Sequence, residues 1–212
     1  MRWLRRVAIV VLFRPLARIF TGADIVGRER LPLRGPAILV ANHASHVDTL
    51  LLLTIYPSKA LDRVRPAAAA DYFLKGRLMS WFSRRILNIV PVARDRVAAG
   101  EDVLAPARAA LAAGDILLVF PEGTRGDGEE LSKLKNGVAR LAQAFPDAPT
   151  IPLWLQGAGR VLPKGAVVPV PMNCTVLVGE PVRWGGDRME FMTALREGLE
   201  KLHALAPPQR WA

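Results

Sequence analysis

Apolar residues recur along the chain in two patterns, short unbroken runs and stripes at three- and four-residue steps. The run PAILVANH (36–43) is apolar and partly β-branched, which predicts a buried strand, and VDTLLLLTIY (47–56) directly after it predicts a helix. RPAAAADYF (65–73) and RILNIVPVAR (85–94) are weaker strand candidates on either side of a basic, aromatic helix around LKGRLMSWFSRR (74–85). EDVLAPARAALAAG (101–114) reads as a helix closed by Gly114, and DILLVF (115–120) as a short buried strand. Leu131, Leu134, Val138, Leu141 and Phe145 are spaced to bury one helical face. TIPLWLQG (150–157) and CTVLVG (174–179) add two strands. In the last helix Asp187 and Glu190 have the spacing of a capping box, and Met192, Leu195, Leu199 and Leu202 form its apolar stripe.

Strands that alternate with helices predict an α/β fold: a single layered domain with a largely parallel central sheet flanked by helices. The 212 residues suit one such domain. Ligands in these folds gather beyond the carboxyl ends of the strands, so residues that directly follow strand-like runs are the ones to search for chemistry.

Charge changes the picture of the surface. The formal net charge is +10, while 51% of residues are hydrophobic and only 7% are aromatic. A basic chain attracts nucleic acid or an anionic bilayer. The scarce aromatics do not interleave with the basic residues, which argues against a platform for stacked bases and favours a membrane surface. The first residues, MRWLRRVAIVVLFRPLARIF, sharpen that expectation. Val7 to Phe13 form an apolar run far shorter than the ~20 residues that span a bilayer, and arginines and Pro15 follow where a leader peptide would carry small residues. Residues 1–20 are expected to form an interfacial helix, with Trp3, Leu4, Val7, Val11 and Phe13 among lipid and arginines at phosphates. The alternative is an ordinary helix packed on the core. Residues 21–212 would form the remaining domain. Cys174 is the only cysteine, which excludes an internal disulfide and reads as a small buried hydrophobe.

Two motifs carry candidate chemistry. In NHASHVD (42–48), Ser45 and Asp48 have the spacing of a helix N-cap and its third residue. His43 lies on the turn before that helix, where its ring can fold back onto the Asp48 carboxylate. Such a contact fixes the tautomer and raises the basicity of the second ring nitrogen. The pair resembles a hydrolase triad without its nucleophile, which suggests that the substrate supplies the hydroxyl. A metal site built from His43, His46 and Asp48 is disfavoured, because the histidines are three apart across a helix start and not four apart on one helix. The second motif, FPEGTRGDG (120–128), follows a strand. Pro121 and Gly123 suit a tight turn, Glu122 brings a carboxylate, and Arg125 brings a planar fork of donors that suits a phosphate.

Taken together, these motifs resemble the glycerolipid acyltransferase family, whose best-known members are lysophosphatidic acid acyltransferases. The family block N-H-x-S-x-x-D is matched by Asn42, His43, Ser45 and Asp48, and F-P-E-G-T-R by Phe120, Pro121, Glu122, Gly123, Thr124 and Arg125. Between them IVPVARDR (89–96) supplies the family's arginine as Arg94, with Arg96 as the alternative. Ile151, Pro152 and Leu153 resemble the fourth block. LSKLKNGVARLA resembles the block F-K-x-G, with Leu134 in place of the aromatic before Lys135 and Gly137.

The resemblance implies a membrane-bound O-acyltransferase that moves a fatty acyl chain from acyl-CoA or acyl-carrier protein to a lysolipid, most simply 1-acylglycerol 3-phosphate. It implies His43 as base, Asp48 as its orienting acid, and Arg94 with residues 122–125 at the acceptor phosphate. It implies no resident cofactor or metal, no nucleic acid partner, and a peripheral or monotopic place on the cytoplasmic face of a membrane, in bacteria the inner membrane. Glycerol 3-phosphate or a lyso-ornithine lipid is an alternative acceptor. A thioester hydrolase and a non-catalytic lipid-binding protein are the rival classes.

Overall fold

In the computed structural model, the residues described are 2–45, 47–69, 76–93, 102–123, 126, 131–163, 166 and 168–208. Their strands are β1 (Asp24–Val26), β2 (Ala37–Ala41), β3 (Val64–Ala69), β4 (Val90–Val92), β5 (Ile116–Val119), β6 (Thr150–Gln156) and β7 (Thr175–Val178). They form one sheet in the order β1-β7-β6-β2-β5-β3-β4, and every neighbouring pair is parallel except β6 with β7.

Helices cover both faces of the sheet. Alternate residues of β2 divide between two cores, as a period of two requires. Leu39 and Ala41 face a layer made by the N-terminal helix, by α2 (Val47–Thr54) and by α6 (Ala158–Val161). Ile38 and Val40 face α4 (Ala105–Ala112), α5 (Gly137–Ala144) and α7 (Arg188–Leu205). Because β2 is buried on both sides, it is apolar without interruption. The Asp187 half of the expected capping box forms on α7: its carboxylate accepts from the N–H groups of Met189 and Glu190.

The α/β class and the largely parallel sheet match the expectation, but three local features differ. β1 carries no sequence signal, since it is three residues long and mostly exposed. The helix expected from Leu131 begins only at Gly137. Residues 131–136 are drawn instead toward the 120–123 turn, where the Lys135 N–H donates to the Pro121 carbonyl at 2.9 Å, although Leu134 is still buried. The RILNIVPVAR segment is not one strand. A helix, α3, runs through Arg77–Phe82 and a π-helical turn Ser83–Leu87, and only Val90–Val92 is extended.

The N-terminal helix α1 comprises Arg2–Val7, a π-helical stretch Ala8–Phe13, and Arg14–Thr21. One side of it belongs to the core, where Ile9 is fully buried. Three of its arginines, Arg5, Arg6 and Arg14, are engaged by the protein itself, where lipid phosphate was expected to meet them. Arg5 is buried and donates to the carbonyls of Ile86 at 2.9 Å, Val64 at 2.8 Å, Leu87 at 3.3 Å and Leu61. Arg6 pairs with Asp62, and Arg14 donates to the carbonyls of Thr54 and Tyr56. Burial lowers the Arg5 pKa to about 10, with the charges of Asp62 and Asp115 partly opposing the shift. A guanidinium suits this place because its fork of donors serves carbonyls at the end of α3 and at the entry to β3 at once. Arg5→Met should therefore lower stability by about 3 kcal/mol, since buried acceptors lose a charged donor. Urea unfolding checks this, and a loss well below ~1 kcal/mol would contradict it.

The opposite side of α1 is apolar and open. Trp3 is 67% exposed, Val11 68% and Ile19 67%, whereas Leu4 and Phe13 are half-buried. Phe13 meets Phe82 of α3 edge-on at 5.9 Å, and α3 adds exposed Leu78 and Trp81 beside it. The packed-helix alternative thus describes one side of this helix, and the other side is exposed and apolar. Among the described residues, no helix is long and apolar enough to cross a membrane.

Candidate active site

β2 and β5 are adjacent, parallel and in level register, with Val40 opposite Val119. Their carboxyl ends therefore deliver the two motifs side by side. The turn after β2 is fixed first by Asn42, which is 2% exposed. Its side-chain amide donates to the Leu155 carbonyl at 3.0 Å and accepts from the Leu155 N–H at 2.7 Å. The amide thus extends the β2–β6 ladder by one rung after the backbone has turned away.

Helix α2 starts on a reciprocal cap. Ser45 Oγ accepts from the Val47 N–H at 3.3 Å and donates to the Leu162 carbonyl at 3.0 Å. Asp48 reaches back, and its Oδ2 accepts from the N–H groups of Ala44 and Ser45, each at 2.8 Å. The same Oδ2 lies 2.8 Å from His43 Nδ1. Its carboxylate is fully buried, while the His43 side chain is 18% exposed. The cap and the orienting acid are therefore one oxygen atom. With two backbone donors on it already, Oδ2 can only accept from the ring, so Nδ1 carries the proton and Nε2 holds the free lone pair. Among the described residues Asp48 Oδ1 has no hydrogen-bond partner.

The second motif completes the setting of His43. The Phe120 ring stacks on the imidazole at 4.1 Å with 20° between the planes. Glu122, 7% exposed, accepts from the His43 backbone N–H at 3.0 Å through Oε1. The Gly126 N–H donates to the His43 carbonyl at 2.9 Å. His43 is thus gripped at its ring face, its Nδ1, its N–H and its carbonyl. Neither of the last two motif contacts has a sequence signal, because they join residues far apart in the chain whose roles depend on strand order.

The structure brings together His43, Asp48, Asn42, Ser45, Phe120, Pro121, Glu122 and Gly123. Pro152 stands apart in β6, wedged toward α7: a Cβ on Gly198 would lie 3.2 Å from its Cγ, and one on Gly179 2.8 Å. His46, Arg94, Arg96, Thr124 and Arg125 lie outside the described residues. Among the described residues, no group of three or more His, Cys, Asp or Glu is placed to hold a metal ion.

Among the described residues, no serine or cysteine near the base is poised as a nucleophile. Ser45 is engaged on both sides, as above. Cys174 is buried, and burial, aided by the Asp48 charge, pushes its thiol up to about 12. A thiol held there carries almost no thiolate at neutral pH. The arrangement offers one oriented base, its Nε2 without a hydrogen-bond partner among the described residues, suited to deprotonating a hydroxyl brought by a substrate.

Comparison with known proteins bears on which substrate. Residues 23–156, more than half of the chain, match the family model described as Acyltransferase. A chloroplastic 1-acyl-sn-glycerol-3-phosphate acyltransferase of Brassica napus is 29% identical over 148 residues, covering 69% of this chain and 41% of that protein. The alpha form of the enzyme from Mus musculus is 29% identical over 180 residues, covering 83% of this chain and 60% of that protein. A lyso-ornithine lipid O-acyltransferase of Rhizobium meliloti is 28% identical over 154 residues, covering 70% of this chain and 47% of that protein. The chain therefore spans roughly half the length of these relatives. Among solved structures, the 1-acyl-sn-glycerophosphate acyltransferase from Thermotoga maritima superposes with a TM-score of 0.67 over 93% of this chain and 81% of that one. At 23% identity the likeness is one of fold.

Proposed function

Since the chain belongs to the acyltransferase family on the match over residues 23–156, we propose that it moves a fatty acyl chain from an acyl thioester to the free hydroxyl of a lysophospholipid. The preferred acceptor is 1-acylglycerol 3-phosphate, and the product is phosphatidic acid. The observation that carries this reading is the 2.8 Å contact of His43 Nδ1 with a fully buried Asp48 carboxylate, with no activated serine or cysteine beside it among the described residues.

His43 Nε2 takes the proton of the acceptor hydroxyl as its oxygen attacks the thioester carbonyl. The tetrahedral adduct collapses, the carbon–sulfur bond breaks, and the imidazolium returns the proton to the departing thiolate. Asp48 holds the ring and stabilises its charged form in between. Phe120 and Glu122 fix the imidazole so that the hydroxyl meets it in one pose, and such positioning lowers a barrier by up to ~7–11 kcal/mol. The acceptor phosphate falls to the loop around Gly123, with Thr124, Arg125 and Arg94 assigned on the motif. The donor is acyl-CoA or acyl-carrier protein, and the basic chain attracts either polyanion.

The exposed apolar side of α1 and α3 rests on an anionic membrane surface, on the cytoplasmic side of the bacterial inner membrane, and keeps both acyl tails in lipid while the head groups reach the site. The similarity to a lyso-ornithine lipid O-acyltransferase favours a second acceptor class. Purified protein incubated with labelled acyl-CoA and a panel of lysolipids tests the proposal. Labelled phosphatidic acid is the expected product. Thiol release without any acceptor would replace this reading by a hydrolase, and lipid binding with no transfer to any acceptor would replace it by a non-catalytic protein.

A further inference from the structure

The connection from β6 to β7 takes no part in the chemistry above, yet it lies at the same end of the sheet as His43. Gln156 closes β6 opposite Thr175, the first residue of β7. The Ser45 hydroxyl, in the turn that carries His43, donates to the Leu162 carbonyl of this connection. The connection is also tied to the end of α1: the Met172 N–H donates to Phe20 O at 2.9 Å and the Cys174 N–H to Thr21 O at 2.7 Å. It therefore continues the surface of α1, which is apolar and exposed as far as Ile19, toward the base.

The stretch VPVPM (168–172) is apolar throughout, and its valines face out, Val168 at 76% exposed and Val170 at 52%. Its backbone has no donor left for a protein partner between 169 and 172. Pro169 and Pro171 carry no N–H, the Val170 N–H donates to Val161 O at 2.8 Å, and the Met172 N–H is the one held by Phe20. Such a stretch offers nothing to an added strand, which needs free donors along an edge. It suits a medium without hydrogen bonds, where every backbone donor has to be met within the chain. The surrounding charge selects the medium further. No Asp or Glu occurs in residues 1–23 or 148–179, whereas Arg160 and Lys164 belong to the connection and Arg18 is exposed on the last turn of α1. An apolar stretch within a purely basic surround fits an anionic bilayer.

We infer that residues 168–172 enter an anionic bilayer together with the exposed side of α1, so that the membrane meets the protein at the His43 end of the sheet. The inference rests on the reading of α1 and α3 as a membrane face and extends that face to a second, separate element. A lysolipid then reaches Nε2 from the headgroup layer with its chain still in lipid.

A fluorescent label locates the contact. Cys174 is buried, so Val168→Cys supplies one accessible thiol for an environment-sensitive nitrobenzoxadiazole. Vesicles of phosphatidylglycerol and phosphatidylethanolamine should raise the emission of this label and shift it to shorter wavelength, as they should for a label at Val11→Cys on α1. A label at Met189→Cys, exposed beyond the bridge of Val182 to Thr150 at the opposite end of the sheet, should not respond. Kinetics give the second measurement. Val168→Glu combined with Val170→Glu should raise KM about tenfold for a lysolipid carried in those vesicles. KM for a short-chain lysolipid dissolved as monomer should change little, and the unfolding midpoint should stay in place, because both side chains are exposed.

A silent label at 168 beside a responding one at 11 would overturn the inference and leave the α1 face standing, whereas silence at both would remove the two together. A response at 168 to rising protein concentration without vesicles would replace lipid by a second copy of the chain. A responding label at 168 in a protein that transfers to no acceptor would uphold the contact and remove the reaction.

Discussion

His43→Ala should lower acyl transfer by at least ~10²-fold and up to ~10⁴-fold, the range that a positioned general base contributes, while the protein remains folded. The separation of the two effects follows from how His43 is held. Its backbone is fixed by Glu122 Oε1 on its N–H and by the Gly126 N–H on its carbonyl, and neither contact needs the ring. The carboxylate of Asp48 keeps its two backbone donors from Ala44 and Ser45. What is lost structurally is the Phe120 stack, worth ~0.5–1.5 kcal/mol, in a side chain already 18% exposed. What is lost chemically is the Nε2 lone pair that the proposed mechanism uses to deprotonate the acceptor hydroxyl. Initial rates with labelled acyl-CoA and saturating lysolipid, paired with a urea unfolding curve, read both quantities. Turnover within a few-fold of wild type would remove His43 from the mechanism.

The parts of this site that could be read in the sequence are those that depend on neighbours in the chain. The strand at 37–41, the helix at 47–54 and the turn between them follow from an apolar run broken by Asn42 and Ser45, and the contact of His43 with Asp48 is a matter of that turn alone. The contacts of Phe120 and Glu122 are different. They require β5 to lie beside β2 in level register, and no local pattern encodes which strands become neighbours. Glu122 looks in sequence like one more polar residue of a phosphate loop, and its burial against a backbone N–H appears only once the two turns meet.

The same physics explains Arg5, which reads as part of a basic surface and is instead drawn inward by carbonyls at the end of α3. It also explains residues 131–136, whose helical spacing of leucines is real, yet whose backbone is drawn to Pro121. β1 had least chance of being read, since its pairing with β7 rests on backbone hydrogen bonds and its side chains are mostly exposed.

Asp48→Asn should lower acyl transfer by about 10²–10⁴-fold with a change in stability of no more than ~1 kcal/mol, whereas Asp48→Ala should lose both rate and stability. The two roles of this residue converge on Oδ2, which accepts from Ala44, Ser45 and the His43 ring. An asparagine carbonyl can occupy that position and accept the same bonds. Its NH2 then replaces Oδ1, which has no partner among the described residues, so little is lost from the cap. The reverse orientation would set NH2 against two backbone N–H groups, and those two donors forbid it. The His43 tautomer is therefore retained in the variant. The missing element is the buried negative charge, which under the proposed mechanism stabilises the imidazolium formed when the hydroxyl proton moves to Nε2. A large rate loss in a protein of near-native stability thus isolates the electrostatic contribution of Asp48. Equal stability with equal rate would reduce Asp48 to a helix cap. The discriminating measurement is a single preparation of each variant, assayed for transfer at saturating acceptor and for unfolding in urea.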